Sequence, residues 1–302
     1  MKNKSYIIEK KDETLRLDKV LSLFETDYSR AYISNLIKQN NVTVNGKFES
    51  PSYKVKAGDL IEVNFEEKES NMDLEPLNLK LDIIYEDDDL IVINKPTGLV
   101  VHPGSGHQND TLVNALIYNK KQLSTINGLN RIGIVHRIDK DTSGLLLICK
   151  NDYVHNQIAE QLKDHSMHRE YIALVDGVIP DNEGKIIGKI GRDKQNRLKM
   201  AIDNQNGKDA VTRFTVEKRF NKYTLVRLKL ETGRTHQIRV HMSSIGFPVT
   251  GDKLYGGSTY LYKNGQLLHA YQLTFYHPTL KKEMSFKCDI PQYFKEIIDK
   301  LD

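Results

Sequence analysis

The chain has 302 residues, with 44 Lys+Arg against 40 Asp+Glu, 39% apolar residues and two cysteines; this length favours two domains and the composition is that of an ordinary folded protein. No apolar run approaches the ~20 residues of a membrane span, and the start MKNKSYIIEKKDE lacks the apolar core of a signal peptide, so a cytoplasmic protein is expected. The net charge of +4 hides an acidic patch at residues 65–90, beyond which Lys+Arg outnumber Asp+Glu by 31 to 21, a surplus that permits an anionic partner without requiring one.

Leu17, Val20, Leu21 and Phe24 fall at helical spacing, and Ile33, Leu36 and Ile37 resume it after Ser29, a good N-cap. A hairpin follows at Val42–Lys47, turning on Asn45-Gly46, with another strand at Asp59–Val63. Phe65–Lys80 is acidic and aperiodic, a linker with a domain boundary near residue 75, dividing the chain into 1–75 and 76–302. Leu90–Ile93 reads as a strand, and Thr111–Tyr118 as a helix capped by Asp110. Ile132–Val135 and Leu145–Cys149 look like core strands, yet the link between them, HRIDKDTSG, carries more charge than a turn needs. Tyr171–Val175 and Leu225–Leu230 are further strands, and His236–Ile245 is a helix stopped by Gly246. Strands and helices mix without regular βαβ alternation, which points to a large α+β domain.

Polar groups recur at strand ends: Lys95 and His102; His136, Arg137 and Asp139; Arg169 and Tyr171; Arg234, His236, Arg239 and His241. Metal ligation is the first chemistry to weigh, but His236 and His241 are five apart on a helix and point in different directions, so no metal is expected. Cys149 and Cys288 lack a CxxC spacing and read as reduced structural thiols. Ser143 lacks a G-x-S-x-G elbow, and neither a Walker A nor a G-x-G-x-x-G sequence is present, so no cofactor is expected. What remains is a carboxylate, Asp139, with arginines and a tyrosine elsewhere in the chain. Held ionised by a guanidinium it is a fit nucleophile; as an ion pair or turn acceptor it is merely structural, and the residues alone leave both readings open.

The segments RLDKVL, SRAYISNLIKQNNVTVNG and PSYKVKAGDLIEV resemble the S4 RNA-binding domain. That resemblance implies a small α/β module that presents Arg30, Lys38, Lys47 and Lys54 to structured RNA. HRIDKDTSGLLL resembles the HRLDxxTSGLL signature of the RluA-type pseudouridine synthases, with Ile138 where leucine is usual. YEDDDLIVINKPTGLVVHPG, HREYIALVDG and LETGRTHQIRVHMSSIGFPVTGDKLYG match the same family in order, so the resemblance covers nearly the whole chain.

By that resemblance the catalytic domain is α+β with a mixed, mainly antiparallel sheet, the nucleophile is Asp139, and Tyr171 stacks on the target uracil. The basic partner of the aspartate falls on Arg239, with Arg234 the second candidate. His136 and Arg137 flank the nucleophile and contact substrate, Arg137 by filling the place of an extruded base. Arg192, Lys194, Arg197 and Lys199, in an expected loop or hairpin, would hold phosphates. The implied activity is isomerisation of uridine to pseudouridine without a cofactor, by a monomer acting on large-subunit ribosomal RNA. Transfer RNA is the alternative substrate; a noncatalytic ribosome assembly factor and a nucleoside or glycoside hydrolase are the alternative functions.

Overall fold

The computed structural model describes residues 2–25, 30–65, 74–104, 106–119, 121–126, 128 and 131–301. The chain forms two compact units, Met1–Glu75 with Ser124–Gly133, and Pro76–Leu123 with Ile134–Asp302. Among the described residues no helix is long and apolar enough to cross a membrane.

In the first unit, β1 (Lys2–Ile7), α1 (Leu17–Phe24), α2 (Arg30–Lys38), β2 (Val42–Val44), β3 (Lys47–Phe48) and β4 (Leu60–Phe65) follow one another. The strands form an antiparallel sheet ordered β1-β4-β2-β3. Leu17, Val20 and Leu21 of α1 and Ile33, Leu36 and Ile37 of α2 share a core with Val42, Val44, Ile61 and Val63. The β2–β3 turn has φ of 52° at Asn45 and 75° at Gly46, the left-handed pair that a tight hairpin needs. Buried Asp59 fastens this turn by accepting hydrogen bonds from the Asn45 amide, the Tyr53 hydroxyl and the Lys56 backbone N–H. Burial opposes its charge, but those donors outweigh it and hold the carboxyl below its usual range.

The second unit runs β5 (Ile83–Glu86), β6 (Leu90–Lys95), α3 (Leu112–Tyr118), β7 (Ser143–Cys149), α4 (Asp152–Lys163), β8 (His168–Asp176), β9 (Glu183–Arg192), β10 (Met200–Ile202), β11 (Lys208–Arg219), β12 (Tyr223–Leu230), α5 (Gln237–Ser244), β13 (Leu268–His277), β14 (Lys282–Lys287) and α6 (Gln292–Asp299). Its ten strands make one sheet in the order β10-β9-β11-β12-β8-β13-β7-β6-β5, with β14 on the outer half of β13. Every pairing is antiparallel except β13 with β7, so the α+β expectation holds. At that parallel contact Gly144 has φ of 110°, and a Cβ there would lie 2.3 Å from the Ala270 carbonyl oxygen. Only glycine lets β13 close on β7 at this point.

Tyr171, Ala173 and Val175 of β8, Val226, Leu228 and Leu230 of β12, and Ile238 and Met242 of α5 form one buried cluster. Each buried Val, Leu, Ile or Met side chain in it contributes roughly 1.5–3 kcal/mol. Leu90, Val92, Leu145, Leu147, Val154, Ile158, Leu273 and Phe275 form a second cluster, closed by Cys149 and Cys288, both free and buried.

Two local expectations are corrected. Ile132–Val135 is not a strand: Gly133 turns the chain at φ 69°, and Ile134 keeps only an isolated bridge to Ile148. Thr111, not Asp110, caps α3, because the Thr111 hydroxyl accepts the Asn114 N–H while the Asn114 side chain returns to the Thr111 N–H; Asp110 instead pairs with His107 at 2.6 Å.

Candidate active site

The charged link that precedes β7 is pinned from below. Lys95, at the end of β6 and 0% exposed, donates to the carbonyls of Pro96 at 2.7 Å, Leu99 at 2.9 Å and Lys140 at 3.0 Å. Burial pushes its pKa down to about 7, with Asp141 and Asp139 opposing. Three carbonyls take all three ammonium protons, so the charged form is the one that fixes the backbone beside Asp139.

Asp139 faces the N-terminal turn of α5. Its Oδ2 accepts from Arg239 Nη1 at 2.9 Å, and its Oδ1 lies 3.8 Å from His236 Nε2. Arg239 is itself buried, and Asp252 takes its other face: Nε to Oδ2 at 2.6 Å and Nη2 to Oδ1 at 2.9 Å. Burial works against the guanidinium charge, but hydrogen bonds and attraction from Asp252 and Asp139 overcome it and raise the pKa further. The guanidinium also lies 4.9 Å from the centroid of the Tyr255 ring. Helix α5 starts where it does because His236 turns the chain at φ 55°, which brings Arg239 one turn in, level with Asp139.

His236 completes the ring of contacts. Its Nδ1 meets the Tyr255 hydroxyl at 2.7 Å, and that hydroxyl already accepts the Met200 N–H at 2.8 Å. With the hydroxyl donating to Nδ1, the ring proton sits on Nε2, the nitrogen facing Asp139, the tautomer that gives that nitrogen a proton to offer the carboxylate. Burial lowers the pKa of His236 more than Asp139 raises it, so the imidazole is neutral.

Tyr171, 6% exposed, packs with Ile138, Leu230, Ile238 and Leu268. Burial raises its pKa, with Arg169 opposing and Asp139 adding to the rise, so its hydroxyl stays protonated. Asp139, Tyr171, Arg239, His136, Arg137 and Arg234 all line one cavity of about 590 Å³, a volume suited to a small ligand or one nucleotide.

These six were candidates from sequence, and the fold brings them together. Arg137 is exposed at the mouth. Arg234 is half-buried and donates Nε–H to the Asp209 carbonyl at 2.9 Å. His136 accepts the Leu147 N–H at Nε2, which ties the link to β7. In the first unit Lys38, Lys47 and Lys54 are exposed, whereas the side chain of Arg30 lies outside the described residues. Arg192, Lys194, Arg197 and Lys199 fall at or within the β9–β10 hairpin connection, with Arg192 donating to the Arg197 carbonyl at 2.6 Å.

Sequence reasoning missed Asp252 and Tyr255. Asp252 reads as a turn residue after Gly251, and nothing in the local pattern says that it returns to Arg239. Elsewhere, Asp87, Asp89 and His277 bring ligand atoms within 4.8 Å of one another. Asp87 is already occupied there by Tyr85, the N–H groups of Asp89 and Leu90, and His277, which makes the group a knot at the β5–β6 turn.

A sheet-based α+β unit whose cavity pairs an aspartate with a clamped arginine and a buried tyrosine, in a chain that also carries a small helix-and-hairpin unit, defines a class. The family model described as RNA pseudouridylate synthase matches residues 89–244, the S4 domain model matches residues 15–61, and the chain belongs to the RNA pseudouridylate synthase family. It is an RNA-binding isomerase. Among its relatives, an uncharacterized RNA pseudouridine synthase, YlyB, of Bacillus subtilis is 46% identical over 97% of this chain and 95% of that one. Ribosomal large subunit pseudouridine synthase D of Neisseria meningitidis is 42% identical over 91% of this chain and 76% of that one. Its fold is similar to that of human RNA pseudouridylate synthase domain containing 4, with a TM-score of 0.57 and 26% identity over 73% of this chain and 92% of that one.

Proposed function

We propose that this protein isomerises specific uridines of large-subunit ribosomal RNA, acting as a cytoplasmic monomer with Asp139 as nucleophile. The observation that carries the reading is the 2.9 Å pairing of Asp139 with an arginine that Asp252 fixes through two further donors, at the wall of a cavity that Tyr171 also lines. The ribosomal substrate is supported by relatives named ribosomal large subunit pseudouridine synthase D, at 42% identity in Neisseria meningitidis and in Zymomonas mobilis.

The target uridine is extruded from its helix into the cavity, and Arg137 fills the space it leaves. Asp139, oriented by its hydrogen bond from Arg239, stands against ribose C1′ and stabilises the electron-poor carbon as its bond to N1 breaks. The uracil turns, C5 joins C1′, the proton on C5 leaves and N1 takes one up. Atoms and electrons balance without a redox step or an energy input. Tyr171 supplies the surface against which the base turns; since its hydroxyl starts protonated, it passes a proton on rather than acting as a resident base.

Asp139→Asn removes the charge while keeping shape. The variant is expected to fold, to bind RNA about as tightly as the parent, and to release no tritium from RNA labelled at uridine C5. Substantial release by a preparation free of deamidated protein and of contaminating enzyme would overturn the assignment. Mapping pseudouridines in ribosomal and transfer RNA from cells lacking the protein tests the substrate: sites lost from large-subunit RNA support it, and sites lost only from transfer RNA do not.

A further inference from the structure

Arg169 lies on β8 two residues before Tyr171, so both side chains leave the strand on the same face, and both line the cavity beside Asp139. Only 9% of Arg169 is exposed, yet its Nε has no hydrogen-bond partner, and among the described residues no carboxylate pairs with it. Its neighbours across the sheet are Leu230 and Leu273. Glu170 leaves the strand on the other face, 3.7 Å from Arg227. Nearby His136 is neutral and offers no counter-charge: burial, with Arg169 adding to it, drives its pKa down to about 3.

The cation is also given room. A Cβ on Gly233 would lie 2.6 Å from Arg169 Nη1 and 3.2 Å from Nη2, so the glycine before Arg234 leaves space that the guanidinium occupies. A buried cation left unpaired is costly, and a fold that keeps one within an open cavity is prepared for an anion from outside.

We infer that Arg169 binds a phosphate flanking the extruded uridine, an inference that rests on the proposal that this cavity receives the target nucleotide. A uracil carbonyl is neutral and would leave the charge uncompensated. Every nucleotide of RNA carries a phosphate, whose oxygens suit the planar fork of arginine. Holding the backbone on the Tyr171 strand turns ribose C1′ toward Asp139 and favours a nucleotide within a chain over free uridine.

The test pairs protein variants with substrates in which a single phosphate, 5′ or 3′ of the target uridine, is replaced by an uncharged methylphosphonate. With wild-type protein one of the two replacements should lower kcat/KM about 10- to 100-fold, the range for losing a charge-assisted hydrogen bond. Arg169→Met should lose a similar factor on normal RNA and no further factor on that modified RNA, and Arg169→Lys should recover part of the loss. Because an unpaired buried charge is removed, the melting temperature of Arg169→Met should not fall. Losses that multiply, methylphosphonates that act equally in parent and variant, or a variant that melts lower while its turnover per folded molecule is unchanged, would each overturn the inference. If the wild-type protein made no pseudouridine in either RNA, the underlying functional reading would fail with it; an active wild type indifferent to both replacements would sink this inference alone.

Discussion

Arg239 stands between two carboxylates of unequal standing. Asp252 is 2% exposed and takes two of its donors, whereas the Asp139 side chain is 18% exposed and takes one. Removing either acid should therefore have opposite signatures. Asp139→Asn should abolish turnover at little cost in stability, because Arg239 keeps its buried partner. Asp252→Asn should cost about 3 kcal/mol in urea unfolding, since it leaves the buried cation half-compensated, and should lower kcat as the guanidinium loses its fixed direction. Arg239→Met should be worse on both counts, stranding Asp252. Equal stability losses for the two aspartate variants would contradict this division. Tyr171→Phe keeps the ring, so RNA affinity and stability should hold while kcat falls about a hundredfold or more through the lost proton relay. Asp139, Tyr171 and Arg239 were legible in sequence because short motifs surround them. Asp252 was not, because its partnership crosses from a helix to a later turn, and such a pairing has no local spacing to betray it.

Among elements, amphipathic helices and tight turns were the most legible. Both N-terminal helices lie where their apolar spacing put them, and the Asn45-Gly46 hairpin turns as its residues require. Strand β1 was hidden because most of its described side chains are exposed; its backbone pairing with β4, from Lys2↔Phe65 to Ile7↔Leu60, holds it in place of an apolar face. Ile132–Val135 misled for the opposite reason, since its apolar side chains fill a core from a turn that Gly133 bends. Three histidines of the large unit, His136, His241 and His269, bear on its acid stability. Burial depresses His136 to about 3 and both His241 and His269 to about 4. The unfolded chain takes up protons at these sites below about pH 6.5, while the folded chain does not until about pH 4. Their contribution is thus intact above pH 6.5 and falls as the pH is lowered toward 4, by at most ~1.4 kcal/mol per pH unit for each histidine. Urea midpoints measured at pH 7, 5.5 and 4.5 should decline, and the decline should be shallower for His269→Gln.

At the scale of the whole molecule, the small unit is expected to add RNA affinity more than chemistry. Lys38 and Lys47 are exposed on the small unit, and the residues lining the Asp139 cavity all belong to the large one. Reversing both charges, Lys38→Glu with Lys47→Glu, should weaken RNA binding and reduce the slope of log affinity against log salt by about 1 to 2, because fewer counterions are displaced. Turnover at saturating RNA should survive; an unchanged salt slope would place the RNA contact elsewhere.

The insertion of β13 between β8 and β7 also governs when the protein becomes competent. Strands from residues 143 to 149 and 168 to 176 cannot be joined until Leu268–His277 has been synthesised and has closed on Gly144. Leu268 is itself part of the cavity wall. A growing chain therefore carries Asp139, Tyr171 and Arg239 before Leu268 can complete the cavity wall, and activity is expected to arrive late. Pairings so distant in sequence form slowly, so on refolding from urea pseudouridine synthesis should return with the slowest phase seen by circular dichroism, never ahead of it.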